Sequence, residues 1–188
     1  MRIDSTLPNT RTEIRLAGEG GQGMILAGII LAEAAAIYDG KQVVQSQSYG
    51  PEARGGASKA EVIISEDPID FPEVLQADIL IALSQEAYDK YAGDLKAEGL
   101  LIVDADNVKD ACPENAICIP ITSTSLETTG RAITANTVAL GILAALTGIV
   151  SKEAISEAVA ARAPKGTKEI NLKALEAGIK LASEISSS

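Results

Sequence analysis

Glu13-Ile14-Arg15-Leu16-Ala17-Gly18-Glu19-Gly20-Gly21-Gln22-Gly23-Met24 decides the fold of this chain. The residues up to Ala17 read as a strand. Gly18, Gly20 and Gly23 then satisfy the spacing G-x-G-x-x-G, and an apolar helical stretch runs on through Met24–Tyr38. A strand, a glycine turn and a helix in that order open the βαβ unit of an open α/β sheet. Glycine lets backbone N–H groups turn toward an anion at a helix N-terminus, where unpaired donors and the helix dipole favour negative charge. Gly18, Gly20, Gly21, Gln22 and Gly23 are therefore candidate cofactor-binding residues, and Gly20 and Gly21 are expected to reject side chains. The same spacing also serves a tight packing turn with no ligand, and both readings stand at this point.

The dinucleotide fingerprint further requires an acidic residue at the end of the second strand to hold the ribose hydroxyls. The second strand-like run, Gln42–Ser46, ends in Gln and Ser, so NAD lacks its specific anchor. A second glycine-rich loop follows, Ser46-Gln47-Ser48-Tyr49-Gly50-Pro51-Glu52-Ala53-Arg54-Gly55-Gly56. Ser46, Ser48, Tyr49, Gly50, Arg54 and Gly55 join the candidate site. Arg54 is the residue of choice for a specific contact, because its planar fork grips phosphate or carboxylate bidentately; a solvated surface charge is the alternative. The hydroxyls of Ser46, Ser48 and Tyr49 have no base in this chain to activate them as nucleophiles.

Composition narrows the chemistry. At 188 residues the chain suits one well-cored domain, here residues 1–188. Hydrophobic residues make up 46% but aromatics only 3%, so Ala, Ile, Leu and Val must build the core, as in buried parallel strands. A net charge of −10 argues against a nucleic-acid partner. The chain has no histidine, which removes Ser-His-Asp and Cys-His catalysis and the commonest metal ligand, so neither catalytic residues nor a metal site are expected. Cys112 and Cys118 cannot ligate an iron–sulfur cluster by themselves and read as buried or free thiols. No apolar leader or bilayer-length run is visible, which leads us to expect a cytoplasmic protein with no membrane partner.

Strand-like runs at 13–17, 42–46, 58–65, 79–83, 100–104 and 116–119 alternate with helical stretches at 24–38, 85–91, 125–129, 134–146, 152–162 and 169–185. The sequence Thr124-x-x-Glu127 reads as a capping box for the third helix, and Ser151 as the cap of the fifth. This order predicts an α/β fold: a three-layer Rossmann-like sandwich with a mainly parallel sheet and C-terminal helices. Met24–Tyr38 has almost no polar face and needs cover all round, from the C-terminal helices or from another subunit. Asp104 and Asp106 end the fifth strand, where two carboxylates suit Mg²⁺, although capping of the following turn fits them better. Asn136 and Asn171 sit in or before apolar helical runs, for loop bracing or ligand contact.

Taken together, Gly18–Gly23, Gln45-Ser-Gln-Ser-Tyr-Gly-Pro-Glu-Ala-Arg-Gly-Gly-Ala-Ser58, Ala77-Asp78, Ala82-Leu-Ser-Gln85, Asn136-Thr-Val-Ala-Leu-Gly141 and Asn171-Leu-Lys-Ala-Leu-Glu-Ala-Gly178 resemble the gamma subunit of 2-oxoacid:ferredoxin oxidoreductases. The resemblance runs through nearly the whole chain, and the second loop is closer to the 2-oxoglutarate branch than to the pyruvate branch. It implies a gamma-type domain in a heteromeric complex that decarboxylates a 2-oxoacid on thiamine diphosphate, passes electrons through [4Fe–4S] clusters to ferredoxin and hands the acyl group to coenzyme A. Thiamine diphosphate, Mg²⁺ and the clusters would then sit on partner subunits. The two glycine loops would face the coenzyme A or substrate side, and the isolated chain would be inactive. Other 2-oxoacids (branched-chain, pyruvate, indolepyruvate) and a stand-alone nucleotide-binding Rossmann protein remain the alternative readings.

Overall fold

The computed structural model describes residues 11–48, 56–109 and 116–186. Six strands form one sheet in the order β2-β3-β1-β4-β5-β6: β1 (Arg11–Glu19), β2 (Gln42–Ser48), β3 (Ala57–Ser65), β4 (Ala77–Ala82), β5 (Leu95–Asp104) and β6 (Ala116–Ile119). β1, β4, β5 and β6 pair in parallel. β3 runs antiparallel to both β1 and β2, so it alone is reversed. The predicted mainly parallel α/β sandwich is what forms.

Strand alternation divides the core between two faces. Ile14, Leu16, Val62, Ile64, Ile79, Ile81, Ile102 and Ile119 point to one face. There they meet α1 (Met24–Glu33), α4 (Ala135–Thr147), α5 (Lys152–Arg162) and α6 (Lys168–Ser186). Ala17, Leu80, Ala82, Leu101 and Val103 point to the other face, against Ala87 and Tyr91 of α2 (Gln85–Tyr91). Helices on both faces of a sheet whose strands lack polar alternation complete the three layers.

The apolar stretch after the glycine turn is α-helical only to Glu33. Ala34–Tyr38 continue it as a π-helical turn, in which the Asp39 N–H reaches back to the Ala34 carbonyl at 3.1 Å. Most of its cover comes from the chain itself, because α1 packs on β1, β2 and β3 and against α4 and α5. Arg162 of α5 grips Glu33 with both Nε and Nη2. Asp39 caps α5 by accepting from the Ser151 N–H and hydroxyl, each at 2.7 Å. Ser151 in turn accepts from the Ala154 N–H, as expected of a cap. Cover runs out at Ile37, which is 66% exposed, and a shallow groove lined by Ile29, Ala32, Ala36, Ile37 and Val43 lies there beside the edge strand β2.

The third helix departs from expectation. α3 spans Ile121–Thr129, so Thr124 lies within its first turn and makes no capping box with Glu127. Its N-terminus is capped from outside. Asp104 accepts from the N–H groups of Ile121 and Thr122, and Asp106 from that of Ser123 at 2.7 Å. Cys118 on β6 is disulfide-bonded, which corrects the expectation of a free thiol.

Candidate functional site

Gly18 is the penultimate residue of β1, and the loop from Gly20 to Gly23 carries the chain from the sheet edge onto α1. The Gln22 N–H closes a turn onto the Glu19 carbonyl at 3.1 Å. The Gln22 side chain folds back under the loop. Its Oε1 accepts from the Glu19 N–H at 2.7 Å, while Nε2 donates to the Leu83 carbonyl at the end of β4 at 3.1 Å. A Cβ on Gly18 would meet that Oε1 at 2.5 Å, so the first glycine makes room for the brace. Gln22, expected from the sequence at a ligand site, holds the loop to the sheet through both ends of its amide.

Gly21 and Gly23 take φ values of 98° and 75°, a region that favours glycine. Gly20 has neither a positive φ nor any atom of the described chain within 4 Å of where its Cβ would be, so nothing in the fold itself rejects a side chain there. Around Gly20 and Gly21 the loop faces open space. No side chain caps α1 and no carboxylate lies in its first turn. Among the described residues, then, neither a side-chain cap nor a first-turn carboxylate offsets the N–H groups and dipole of this terminus.

Behind the loop, Asn136 at the start of α4 is buried and donates from Nδ2 to the Gly23 carbonyl at 3.0 Å. The Thr137 hydroxyl lies 3.2 Å from Asn136 Oδ1 and 3.1 Å from Asn171 Oδ1. Asn171 closes the chain of bonds on the Thr167 carbonyl at 2.9 Å. Both asparagines therefore serve as braces.

The second loop is placed in part. Ser46 and Ser48 end β2 opposite Glu61 and Lys59 of β3, which lie opposite Arg15 and Ala17 of β1. Both loops therefore leave the same end of the sheet, with only β3 between them. Residues directly opposite share a face, so the serines lie on the α2 side while Gln45 lines the groove beside α1. Tyr49, Gly50, Arg54 and Gly55 fall outside the described residues.

Asp104 and Asp106 are committed elsewhere. Asp104 is fully buried and, beyond its helix N–H partners, accepts from the Asp106 N–H, Asn107 Nδ2 and the Thr122 hydroxyl. Among the described residues no group of three or more Cys, Asp or Glu is placed to hold a metal ion.

Sequence reasoning missed Arg15. It is buried on the α2 face, pairs with Glu61 at 2.7 Å and Asp94 at 3.0 Å, donates to the Val74 carbonyl, and stacks over the Tyr91 ring. A lone Arg between Ile14 and Leu16 was the available signal. The titration of Glu33 is shifted: its hydrogen bonds from Arg162 hold the carboxyl below its ordinary value against a smaller opposing effect of burial.

An open, mainly parallel sheet with a glycine turn at the carboxyl ends of its strands defines the doubly wound class of ligand-binding α/β proteins. Residues 13–181 match the family model for pyruvate ferredoxin/flavodoxin oxidoreductase, and the chain belongs to that family. It is 55% identical over 179 residues to the 2-oxoglutarate synthase subunit KorC of Methanocaldococcus jannaschii, covering 93% of this chain and 96% of that one. The keto/oxoacid ferredoxin oxidoreductase gamma subunit from Geobacter sulfurreducens superposes with a TM-score of 0.84 at 55% identity, covering 93% of this chain and 97% of that chain. A 2-oxoglutarate:ferredoxin oxidoreductase from Magnetococcus marinus, with 2-oxoglutarate, coenzyme A and succinyl-CoA bound, matches with a TM-score of 0.84 at 26% identity. That match covers 96% of this chain but 32% of the other, so the same fold there is one part of a longer polypeptide.

Proposed function

We propose that this chain is the gamma subunit of a multisubunit 2-oxoglutarate:ferredoxin oxidoreductase. The complex converts 2-oxoglutarate and coenzyme A to succinyl-CoA and CO₂ and passes two electrons to ferredoxin. The observation that carries the reading is end-to-end similarity to KorC subunits, at 50–55% identity across 93% of the chain in three archaeal relatives. Similarity to ketoisovalerate and shared pyruvate/ketoisovalerate subunits is lower, at 34–38%.

Within the complex the chain acts as a single gamma-type domain in the cytoplasm and supplies no redox centre. Only two cysteines leave it without ligands for a cluster, and it has no Gly-Asp-Gly…Asn pattern for thiamine diphosphate and its Mg²⁺, so these groups belong to partner subunits. The Gly20–Gly23 turn, whose helix N-terminus lacks a carboxylate, faces coenzyme A; Ser46, Ser48, Tyr49, Gly50, Arg54 and Gly55 complete that side. Arg54 supplies the fixed cation for its phosphates. The apolar groove beside Ile37 suits burial against a neighbouring subunit.

Co-expression with the neighbouring subunits, purification of the complex and assay against a panel of 2-oxoacids test the reading. Coenzyme A-dependent ferredoxin reduction is expected with 2-oxoglutarate, and the isolated chain should be colourless and inactive. A complex that turns over only pyruvate or branched-chain substrates would overturn the substrate assignment. Arg54→Ala should raise the KM for coenzyme A; parental kinetics would return Arg54 to the solvated surface.

A further inference from the structure

Asn136 lies at the start of a helix that is otherwise almost wholly apolar, and it is 4% exposed. A buried amide in such a place costs stability unless its hydrogen bonds are made; here its oxygen faces the Thr137 hydroxyl of its own helix and its N–H runs to the glycine turn. Nδ2 donates to the Gly23 carbonyl, which already accepts the Ala27 N–H of α1 at 3.0 Å. That carbonyl would stay satisfied without Asn136. The second bond adds direction instead, fixing the peptide plane at the hinge between loop and helix. The contact is also close, because a Cβ on Gly23 would come within 2.6 Å of the same Nδ2. The Gly23 carbonyl can only accept and so sets the Asn136 amide with its nitrogen toward the loop, and on the far side the Thr137 hydroxyl, shared between the amide oxygens of Asn136 and Asn171, supports that orientation. Gln22 pins the other end of the turn to Glu19 and Leu83. The turn is thus held at both ends while Gly20 and Gly21 between them face open space.

We propose that Asn136 is a positioning residue for coenzyme A: it fixes the glycine turn through the Gly23 carbonyl so that the turn and the α1 N-terminus are preorganised, with Thr137 and Asn171 orienting its amide. The proposal rests on the reading that this turn faces coenzyme A. Preorganised donors spare the ligand the cost of ordering them, so their loss appears in ligand affinity before it appears in chemistry.

The test is steady-state kinetics of the assembled complex, with subunit co-elution and thermal melting measured on the same samples. Asn136→Ala is expected to raise the KM for coenzyme A about tenfold, with kcat and the KM for the 2-oxoacid within about twofold. Thr137→Val should give a smaller rise, about threefold, and Thr137→Ser, which keeps the hydroxyl, should restore parental values. A parental KM for coenzyme A in both Asn136→Ala and Thr137→Val, or equal loss for every substrate in step with lost assembly, overturns the positioning role. Gly20→Val separates that failure from failure of the underlying reading, because it projects a side chain from the turn without strain in the chain itself. If Gly20→Val raises the KM for coenzyme A while Asn136→Ala does not, the turn faces the ligand and the positioning role alone is wrong. If Gly20→Val leaves every KM unchanged, or raises only that of the 2-oxoacid, the coenzyme A reading is wrong and the proposal falls with it.

Discussion

Among the helix N-termini at the carboxyl ends of the parallel strands, those of α1 and α3 are finished in opposite ways. That of α3 is filled by the protein's own carboxylates, since Asp104 and Asp106 accept the N–H groups of Ile121, Thr122 and Ser123. That of α1 meets glycines, no side-chain cap and open space. Both obey the same requirement, that the first N–H groups of a helix find acceptors. One meets it internally, which turns a pair of acids resembling a metal site into a structural clasp. The other has no side-chain cap among the described residues. Residue type alone points the wrong way at the first and is ambiguous at the second.

The clasp should be the costlier to break. Asp104→Ala removes a fully buried carboxylate and strands several buried donors, with an expected loss of about 3 kcal/mol or more in urea unfolding. A loss below about 1 kcal/mol would mean that solvent replaces the carboxylate and that the two termini differ less than the geometry indicates.

At the open terminus the largest effect on stability belongs to the brace. Gln22→Ala leaves the Leu83 carbonyl and Glu19 N–H without their partner and should cost about 1–2 kcal/mol. Stability unchanged in thermal and denaturant unfolding would show that the turn holds its shape without being pinned to the sheet.

The glycines sharpen the comparison further. Gly21→Ala forces a side chain onto φ 98° and should cost about 1 kcal/mol, whereas Gly20→Ala should stay within about 0.5 kcal/mol of the parent in the isolated chain. Equal costs at the two positions would mean that backbone strain is not what distinguishes them.

The smallest effect lies at the other end of the same stretch of chain. Because the hydrogen bonds of Arg162 depress the pKa of Glu33, the ion pair contributes stability above the ordinary carboxyl value of 4.5, and that contribution is lost as pH falls through the lower folded value. Arg162→Met should leave stability at low pH, where Glu33 is protonated, unchanged and flatten the acid limb slightly, as read from melting temperature against pH. Arg162 is about half exposed and Glu33 partly so, which leaves the pair open to solvent screening, and a shift of many degrees at neutral pH would contradict that.

The strands were legible where a short apolar run is bounded by Gly, Pro, Asp or Ser, but the polar first half of β5, Leu95–Gly99, carries no such mark, and the strand begins five residues before the predicted 100–104. The helices at 85–91 and 152–162 were legible because their limits coincide with caps written locally, Ser84 and Ser151. α3 was misread because its caps come from β5, some seventeen residues earlier in the chain. The reversal of β3 was not legible either, since an apolar run bears no mark of its direction in the sheet. In the site, Gly18, Gly20 and Gly23 stood out by spacing, whereas the positive φ falls on Gly21 and Gly23 and not on Gly20. The braced role of Gln22 did not, because a glutamine in a glycine loop looks the same whether it points to a ligand or to the sheet. Asn136 was conspicuous as an amide in an apolar helix, but which carbonyl it serves depends on how α4 packs beside α1.

By itself the sequence determined the class of fold, through the order of its apolar runs and the glycine turn after the first of them. It also excluded histidine chemistry and a self-contained iron–sulfur cluster, because those require residues the chain does not possess. Only the tertiary structure decided which polar groups are used up within the protein. Hydrogen-bond partners separated by 17 residues, as Asp104 and Ile121, or by 113, as Gly23 and Asn136, are brought together by the packing of whole elements, and no local spacing encodes the pairing.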